Sequence, residues 1–317
     1  MNIYGLPEAQ VLALAAGVRS DASAGTESEP DPLCAAAEVF ARAAWTGIAE
    51  PGDGLAGLLV GSLGAETALT AVLESWTPTR LAELLRQNGF DDGEDELGTS
   101  LEQGLLRWRP RLSATEVVHS LQQAERVGAR LLLPHDESWP RALDDLGAHA
   151  PVALWLRGRL AALAGLENSL ALVGARAATG YGEHVAMEAA AGLVDRGFTI
   201  VSGAAYGIDG MAHRAALASD GLTVAFLAGG VDRFYPSGHD ALLTRIAADG
   251  AVLSELPCGA APTKWRFLQR NRLIAASSLA TVVLEAGWRS GSLNTAGHAA
   301  ALGRPLGAVP GPVTSPT

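Results

Sequence analysis

From residue 168 onward, short apolar runs of strand length alternate with stretches of helical pattern. Continuous apolar strands separated by helices are typical of βαβ units, in which helices cover both faces of a parallel sheet. Because the crossovers of such units are right-handed, we predict an α/β fold with a doubly wound, mainly parallel sheet. The predicted strands are 170–174, 198–203, 222–230, 251–255, 281–287 and 305–311, and the predicted helices are 181–196, 208–219, 238–249, 265–278 and 292–303.

The chain before this pattern is helical but interrupted. Its predicted helices are 33–47, 54–74, 78–88 and 112–131, and its predicted loops are 20–32 and 91–96, whose acidic residues face solvent. From Pro134 the sequence becomes rich in proline and tryptophan, and we expect the domain junction there. These features predict an acidic N-terminal helical domain over 1–133, a connecting segment over 134–167 and the sheet domain over 168–317.

Charge is divided unevenly between the two parts. The chain carries a net charge of −11, which by itself disfavours a nucleic-acid partner. Residues 1–150 contain 10 Arg and no Lys against 23 acidic residues, whereas residues 151–317 contain 12 Arg and one Lys against 11. The stretch from Leu256 to Leu284 holds four basic residues and no acidic one. Because ionic screening limits a charge to a reach of about 8–10 Å, this local segment can bind an anion on an acidic protein.

The composition of the chain indicates in which cellular compartment the protein is expected. Hydrophobic residues make up 48% of the 317, enough to bury real cores, yet no run of 18 apolar residues occurs. The start MNIYGLPEAQ lacks the basic and apolar regions of a secretory signal. Cys34 and Cys258 lie far apart without C-x-x-C spacing. We therefore expect a reduced cytoplasmic protein with no membrane span.

Glycine-rich loops follow four of the predicted strands. Ligands of such sheets bind beyond the carboxyl ends of the strands, and each loop leads into a helix N-terminus, where free N–H groups favour an anion. One glycine at such a turn is ordinary turn chemistry, but four loops on one edge indicate a binding site. The candidate residues on this edge are Gly174, Arg176, Ser202, Gly203, Gly229, Gly230, Ser290, Gly291 and Ser292.

Common signatures of nucleotide-binding and hydrolase sites are missing from the sequence. The only lysine, Lys264, follows Thr263 rather than the glycine of a Walker A loop, and neither G-x-G-x-x-G nor G-x-S-x-G occurs. The seven histidines lack metal-ligand spacing. Asp209 and Glu285 are a candidate acid/base pair, although Asp209 stands where a helix N-cap is expected, and we favour that role. We therefore expect no catalytic residue, no metal and no cofactor.

The segment PTKWRFLQRNRLIAASS (262–278) interleaves cations with aromatic residues. On a helix that begins near Trp265, the side chains of Arg266, Arg270 and Arg272 share a broad side while leucines face the sheet. Cations for phosphates beside aromatics for bases are typical of proteins that bind single strands with little sequence preference. The alternative is an amphipathic helix with solvated arginines. The position of the segment 262–278, just before the fifth strand and its loop, favours a polyanion over a small molecule as the ligand.

Seven blocks of sequence occur in this order: ALVGARAATGYG, VSGAAYGIDGMAH, AGGVDRFYP, LSELPCG, FLQRNRLIAASS, EAGWRSGSLNTAGHA and GRPLGAVPGP. In this respect the chain resembles the DNA-processing protein A (DprA/Smf) family, over about residues 135–313. The resemblance implies a Rossmann-like sheet domain preceded by a small, all-helical, sterile-alpha-motif-like domain.

The resemblance also implies a function. Members bind and protect single-stranded DNA and help to load the RecA recombinase during natural transformation or recombination, as cytoplasmic homodimers without catalytic turnover. Carried over to this chain, the glycine edge forms a phosphate pocket, Phe267 stacks on a base and Asn271 fixes the loop. The family's DNA-binding segment corresponds here to Lys264, Arg266, Phe267, Arg270, Asn271 and Arg272.

Two other functions stay open at this point. The lysine-decarboxylase-like nucleotide phosphoribohydrolases share a Rossmann-like sheet with a phosphate edge, but they require Pro-Gly-Gly-x-Gly-Thr-x-x-Glu after the fifth strand. Here the sequence is Glu285-Ala-Gly-Trp-Arg-Ser-Gly-Ser-Leu-Asn-Thr, without an acidic residue at the start of the next helix. The second alternative is an interaction scaffold, which predicts no DNA affinity at any salt concentration.

Overall fold

An eight-stranded sheet lies at the centre of the computed structural model, which describes residues 2–19, 31–90 and 94–311. Its strand order is β10-β9-β5-β6-β7-β8-β4-β3. The strands from β10 to β8 are parallel, whereas β4 pairs antiparallel with both β8 and β3. The strands are β1 Asn2–Ile3, β2 Leu6–Pro7, β3 Ala129–Leu132, β4 Leu154–Gly158, β5 Ser169–Gly174, β6 Thr199–Ser202, β7 Thr223–Phe226, β8 Ala251–Ser254, β9 Ala280–Glu285 and β10 Leu306–Ala308.

Helices cover both faces of this sheet. Leu172 and Ile200 pack against α8 and α9 on one face, while Val173 and Val201 pack against α11 and α12 on the other. This alternation confirms the predicted doubly wound α/β fold. The helices are α1 Glu8–Val18, α2 Pro32–Ile48, α3 Gly54–Leu63, α4 Ala65–Leu73, α5 Pro78–Gln87, α6 Glu94–Trp108, α7 Ala114–Arg126, α8 Gly180–Val194, α9 Ile208–Ala218, α10 Asp240–Asp249, α11 Lys264–Ala276 and α12 Ser292–Ala301.

Two strands of the eight-stranded sheet, β3 and β4, were not predicted, and neither was the separate pair of β1 and β2. The helix expected over 112–131 ends at Arg126, and after Gly128, whose φ of +66° suits glycine, the chain continues as β3. Strand β4 lies inside the predicted connecting segment and pairs Trp155 with Ser254 of β8. The sheet thus takes one strand from 1–133 and one from 134–167. The division into three segments stays a prediction, and its last residues, 312–317, lie outside the described part of the chain.

The helical part differs from the prediction in detail. Gly64, with φ +81°, separates α3 from α4 within the single helix expected over 54–74. The predicted loop over 91–96 is wrong from Glu94, where α6 begins, and 91–93 lie outside the described residues. Helix α1 was not predicted. Of the predicted loop 20–32, residues 20–30 are not described, and Pro32 already starts α2.

The helical part and the sheet share a hydrophobic core. Trp45 of α2 and Trp155 of β4 are fully buried in one cluster, and the Trp155 indole donates a hydrogen bond of 3.2 Å to Thr46 Oγ1. Within the described ranges, none of the helices alone has the length and apolar composition to cross a membrane. Helices α3 and α4, bent by 114°, meet that criterion only when taken together.

Candidate nucleic-acid interface

The loops after β9, β5, β6 and β7 meet at one edge of the sheet, because these parallel strands are neighbours in that order. Hydrogen bonds tie the loops together: Ala175 N–H donates to Glu285 O at 2.7 Å, and Ile208 N–H donates to Ala175 O at 3.1 Å. The backbone at Gly174 is tightly enclosed, since a Cβ there would come within 2.5 Å of Ile208. The predicted glycine edge is therefore a continuous and closely packed surface.

Phe267 is the centre of an aromatic and cationic cluster at this edge. The Arg176 guanidinium lies over its ring, 4.7 Å from the centroid, and the Tyr235 ring is 5.7 Å away. Phe267 is half-buried, whereas Arg176 and Tyr235 are exposed. Cation–π contact of this kind holds a guanidinium flat while its donors stay free for an anion. The cluster thus presents an aromatic ring and a positive charge side by side.

Helix α11 supplies a second exposed charge next to this cluster. The Thr263 side chain caps the helix by accepting from Arg266 N–H at 3.2 Å. Lys264 is exposed and stands three residues before Phe267, on the same side of the helix. The side chain of Trp265 is also exposed. The first turn of α11 therefore offers a cation and two aromatic side chains to solvent.

Arg266 is engaged with the helical part of the chain. Its Nε and Nη2 donate to the Glu50 carboxylate at 3.0 and 3.1 Å, and Arg111 donates to the same group at 2.8 Å. Burial raises the pKa of Glu50, but hydrogen bonds and charges of the two arginines outweigh it and hold the pKa below its usual value. Arg266 is thus paired with a carboxylate that it shares with Arg111, although it belongs to the predicted DNA-binding segment.

The solvent-facing position expected for Arg270 requires a correction, whereas its contact with DNA stays a prediction. The sequence predicted a phosphate contact, but its side chain is buried and donates to Gly203 O at 2.8 Å and to Phe226 O. Burial lowers the pKa of Arg270 to about 10, which leaves it charged at neutral pH, and nearby Asp209 favours that charge. Burial raises the pKa of Asp209, against the opposing effects of Arg270 and of backbone N–H groups. Arg270 therefore holds α11 against the ends of β6 and β7.

Arg272 requires the same correction. Its guanidinium is buried and donates to Glu255 Oε2 at 2.6 Å and to His149 O at 3.0 Å. Glu255 follows β8 and is buried, whereas His149 lies in the connecting segment between the helical part and β4. The periodicity of the sequence grouped Arg270 and Arg272 with the exposed residues, because it does not reveal the distant carboxylates that make their burial possible.

The remaining predicted residues mostly organise the loops. The Ser202 hydroxyl donates to Leu172 O at 2.6 Å, and Gly230 N–H donates to Ala260 O at 2.9 Å. Ser202, Gly229 and Gly230 are all buried. They therefore support the loops of this edge and are not part of its exposed surface.

The loop after β9 is fixed to α11. Asn271 Nδ2 donates to Gly291 O at 3.2 Å and to Asn294 Oδ1 at 3.1 Å. The Ser290 and Ser292 hydroxyls bond to each other at 2.6 Å. Asn271 is itself buried, so its contribution is to position this loop.

The candidate acid/base pair is engaged in structural contacts. The Glu285 carboxylate accepts hydrogen bonds from Thr179 N–H, at 3.0 Å, and from its hydroxyl. The N-cap expected for Asp209 is wrong, since Gly207 holds that position. Asp209 lies inside α9 and accepts from Gly203 N–H at 3.2 Å. Among the described residues, no group of His, Cys, Asp and Glu is arranged to hold a metal ion.

Three exposed aromatic residues on this edge were missed by the sequence reasoning. Tyr206 follows β6, Tyr235 follows β7 and Trp288 follows β9, and all three are at least 47% exposed. A usable signal was present, since each lies in a loop directly after a predicted strand, where an apolar side chain has no core to enter. The edge thus carries aromatic side chains along several of its loops.

This geometry has counterparts among known proteins. Residues 130–317 match the family model of DNA recombination-mediator protein A. A putative DNA processing protein DprA from Mycobacterium tuberculosis is 54% identical over 207 residues, which are 62% of this chain and 53% of the relative. Protein Smf from Escherichia coli is 42% identical over 167 residues, 52% of this chain and 44% of the relative. The chain thus spans about half the length of these curated relatives.

Two solved structures are also similar. DNA processing protein A from Streptococcus pneumoniae matches with a TM-score of 0.65 and 26% identity, and the match covers 88% of each chain. DNA processing protein A from Helicobacter pylori, whose structure describes a single-stranded DNA binding mode, matches with a TM-score of 0.53 and 30% identity. That match covers 59% of this chain and 82% of the other.

Proposed function

This chain belongs to the family of DNA recombination-mediator protein A, and on that premise we propose that it binds single-stranded DNA along the carboxyl edge of its sheet. Recombination mediators act by handling DNA rather than by turning over a substrate, and the proposed activity is accordingly binding without catalysis. The name of the Helicobacter pylori structure, which specifies single-stranded DNA, supports this choice of ligand.

One observation carries the proposal: the exposed Arg176 guanidinium lies over the Phe267 ring, with the exposed Lys264 one helical turn before Phe267. Two cations bind backbone phosphates, and an aromatic ring between them offers a stacking surface to a base. Such a site recognises features that every nucleotide has. We therefore expect little sequence preference and a preference for single strands, whose bases are free to stack.

The first experiment is fluorescence anisotropy of a labelled oligothymidylate at several salt concentrations, with duplex as competitor. Arg176→Ala and Lys264→Ala should each weaken binding and reduce the salt slope by about 0.7, the value for one phosphate contact on a single strand. Phe267→Ala should cost about 1–3 kcal/mol of binding free energy, with the slope unchanged.

The matched control is Arg196→Ala. Arg196 is an exposed arginine between α8 and β6, at the opposite edge of the sheet, and its side chain donates to Gly192 O of α8. Its removal should leave affinity and slope unchanged. Equal losses of affinity in Arg176→Ala and Arg196→Ala would show that binding depends on the overall charge and not on this site. Absence of binding at low salt would refute the proposed function.

We also propose that the protein has no catalytic activity, on the basis of the sequence and contacts around Glu285. The acidic residue that a phosphoribohydrolase requires at the start of the next helix is missing here, and the nearby Glu285 carboxylate is engaged by Thr179. Incubation with nucleoside monophosphates should release no free base. Release that disappears in Glu285→Gln would establish the enzymatic alternative instead.

We further propose that the protein acts in the cytoplasm as a homodimer and delivers single strands to the RecA recombinase. The family description as a recombination mediator supports this role. Sedimentation measurements should give a mass of twice 32.6 kDa. RecA filaments should form faster on single strands in the presence of this protein than in its absence. An unchanged rate of filament formation would exclude the loading role.

A further inference from the structure

Trp288 is the most exposed large apolar side chain among those the structure describes, with 90% of its surface accessible. It lies in the loop between β9 and α12, next to the exposed Arg289. A large apolar side chain that covers no core normally marks an interaction site. Tryptophan offers the largest aromatic face of any side chain, and Arg289 adds a positive charge beside it.

The position of this loop relates it to the proposed DNA site. Strand β9 is the direct neighbour of β5, and Glu285 is paired with Gly174. The loop of Trp288 therefore starts about 5 Å, one strand spacing, from the loop of Arg176. Phe267 and Tyr235 lie on the other side of Arg176. Aromatic and cationic side chains thus alternate along the edge.

The loop is held in place at both ends. Ser290 N–H donates to Gly287 O at 2.9 Å, which closes a turn around Trp288 and Arg289. Asn271 of α11 binds Gly291 O at the end of the turn. The helix that carries Phe267 therefore also positions the loop that carries Trp288. Holding an exposed aromatic side chain on an anchored turn reduces the entropy lost when a ligand binds.

Charge complementarity indicates which ligand fits. The sequence contains no acidic residue after Glu285, and within the described part of the chain Arg289 has no carboxylate partner. A single strand supplies both a stacking face and a negative charge at every nucleotide. A duplex hides its base faces, and a protein partner would need an acidic and apolar patch.

We propose that Trp288 is a second base-stacking platform, so that a single strand runs along the edge from Tyr235 and Phe267, past Arg176, to Trp288. This inference rests on the proposed function, because it extends the same DNA path beyond the Phe267 cluster. Arg289 binds the phosphate next to the base that stacks on Trp288. Since Trp288 supports no core, its removal leaves the fold intact.

The test compares Trp288→Ala and Trp288→Phe with the unaltered protein in anisotropy titrations with oligothymidylates of increasing length. Loss of one stacked base should weaken the binding of long oligomers by about 5- to 150-fold. The salt slope should not change, because no charge is removed. Trp288→Phe should keep most of the affinity, and the shortest oligomers, which fill only the Phe267 site, should not respond.

Tryptophan fluorescence gives an independent readout. DNA should quench the emission of the unaltered protein, and Trp288→Phe should remove much of that quenching, whereas Trp265→Phe should remove less. Thermal denaturation of Trp288→Ala should match that of the unaltered protein, since the side chain is exposed.

Three outcomes would overturn the inference. Full affinity of Trp288→Ala, with weak binding of Phe267→Ala, would leave the proposed function standing and remove Trp288 from the DNA path. A lower oligomeric mass of DNA-free Trp288→Ala would assign the side chain to a contact between copies. Absence of binding by the unaltered protein would refute the proposed function itself.

Discussion

Replacement of Arg272 by methionine should destabilise the fold while leaving the exposed charge of the proposed DNA site unchanged. The Arg272 guanidinium is buried and donates to Glu255 at 2.6 Å, to His149 O at 3.0 Å and to Gln269 O at 2.9 Å. Methionine preserves much of the side-chain volume but leaves the buried Glu255 carboxylate without its counter-ion. Removing one partner of a buried ion pair costs about 3–5 kcal/mol, which is a large part of the stability of an ordinary domain.

Urea denaturation at neutral pH measures this cost through the change in midpoint at constant slope. The double variant Arg272→Met with Glu255→Gln should recover part of the loss, because no charge is then buried alone. Arg176→Ala is the matched control, since its exposed guanidinium should affect the salt slope of DNA binding and not the stability. A stable Arg272→Met protein, with a salt slope smaller by about 0.7, would show instead that Arg272 contacts a phosphate.

Three further predictions follow from other contacts. Burial lowers the pKa of His213 to about 3, below its usual 6.5, so the unfolded chain binds the extra proton first and stability falls as the pH drops below about 6.5. The free energy of unfolding should therefore fall by about 2 kcal/mol between pH 7 and pH 5. Urea titrations of His213→Asn should lack that part of the pH dependence. Gly203→Ala should lower both the thermal midpoint and DNA affinity, because its Cβ would overlap the Arg270 guanidinium; a normal midpoint would contradict the anchoring role. Glu50→Gln should release Arg266, and anisotropy should then detect tighter binding with a salt slope larger by up to about 0.7.

The parallel sheet could be predicted because its strands are buried on both faces and therefore read as continuous apolar runs. Val224 and Leu253, for example, are fully buried. The antiparallel strands β3 and β4 could not be predicted in the same way, because Arg130 and Arg157 interrupt their apolar pattern. The place of β4 in the sheet depends on pairing with β8, which is distant in sequence, and β3 in turn pairs with β4.

The site was predictable in its location but not in the roles of its arginines. Loops that follow parallel strands must meet at one edge, so Arg176 could be placed there from the strand pattern alone. Helical periodicity groups Arg270 and Arg272 with exposed residues, because a charged side chain is expected to face water. Only the fold brings Asp209 and Glu255 to them, and this partnership makes burial of both guanidinium groups possible.

The burial of Arg270 and Arg272 affects how strongly salt should weaken the proposed DNA binding. The buried Arg270 and Arg272 bind protein groups, and the proposed path assigns phosphate contacts to the exposed Arg176, Lys264 and Arg289. Three phosphate contacts on a single strand give a salt slope of about −2, at about 0.7 per contact. If Arg270 and Arg272 also reached phosphates, the slope would approach about −3.5. Anisotropy titrations across a tenfold range of salt distinguish the two values, and a steeper slope that Arg272→Met reduces would mean that α11 moves away from the sheet when DNA binds.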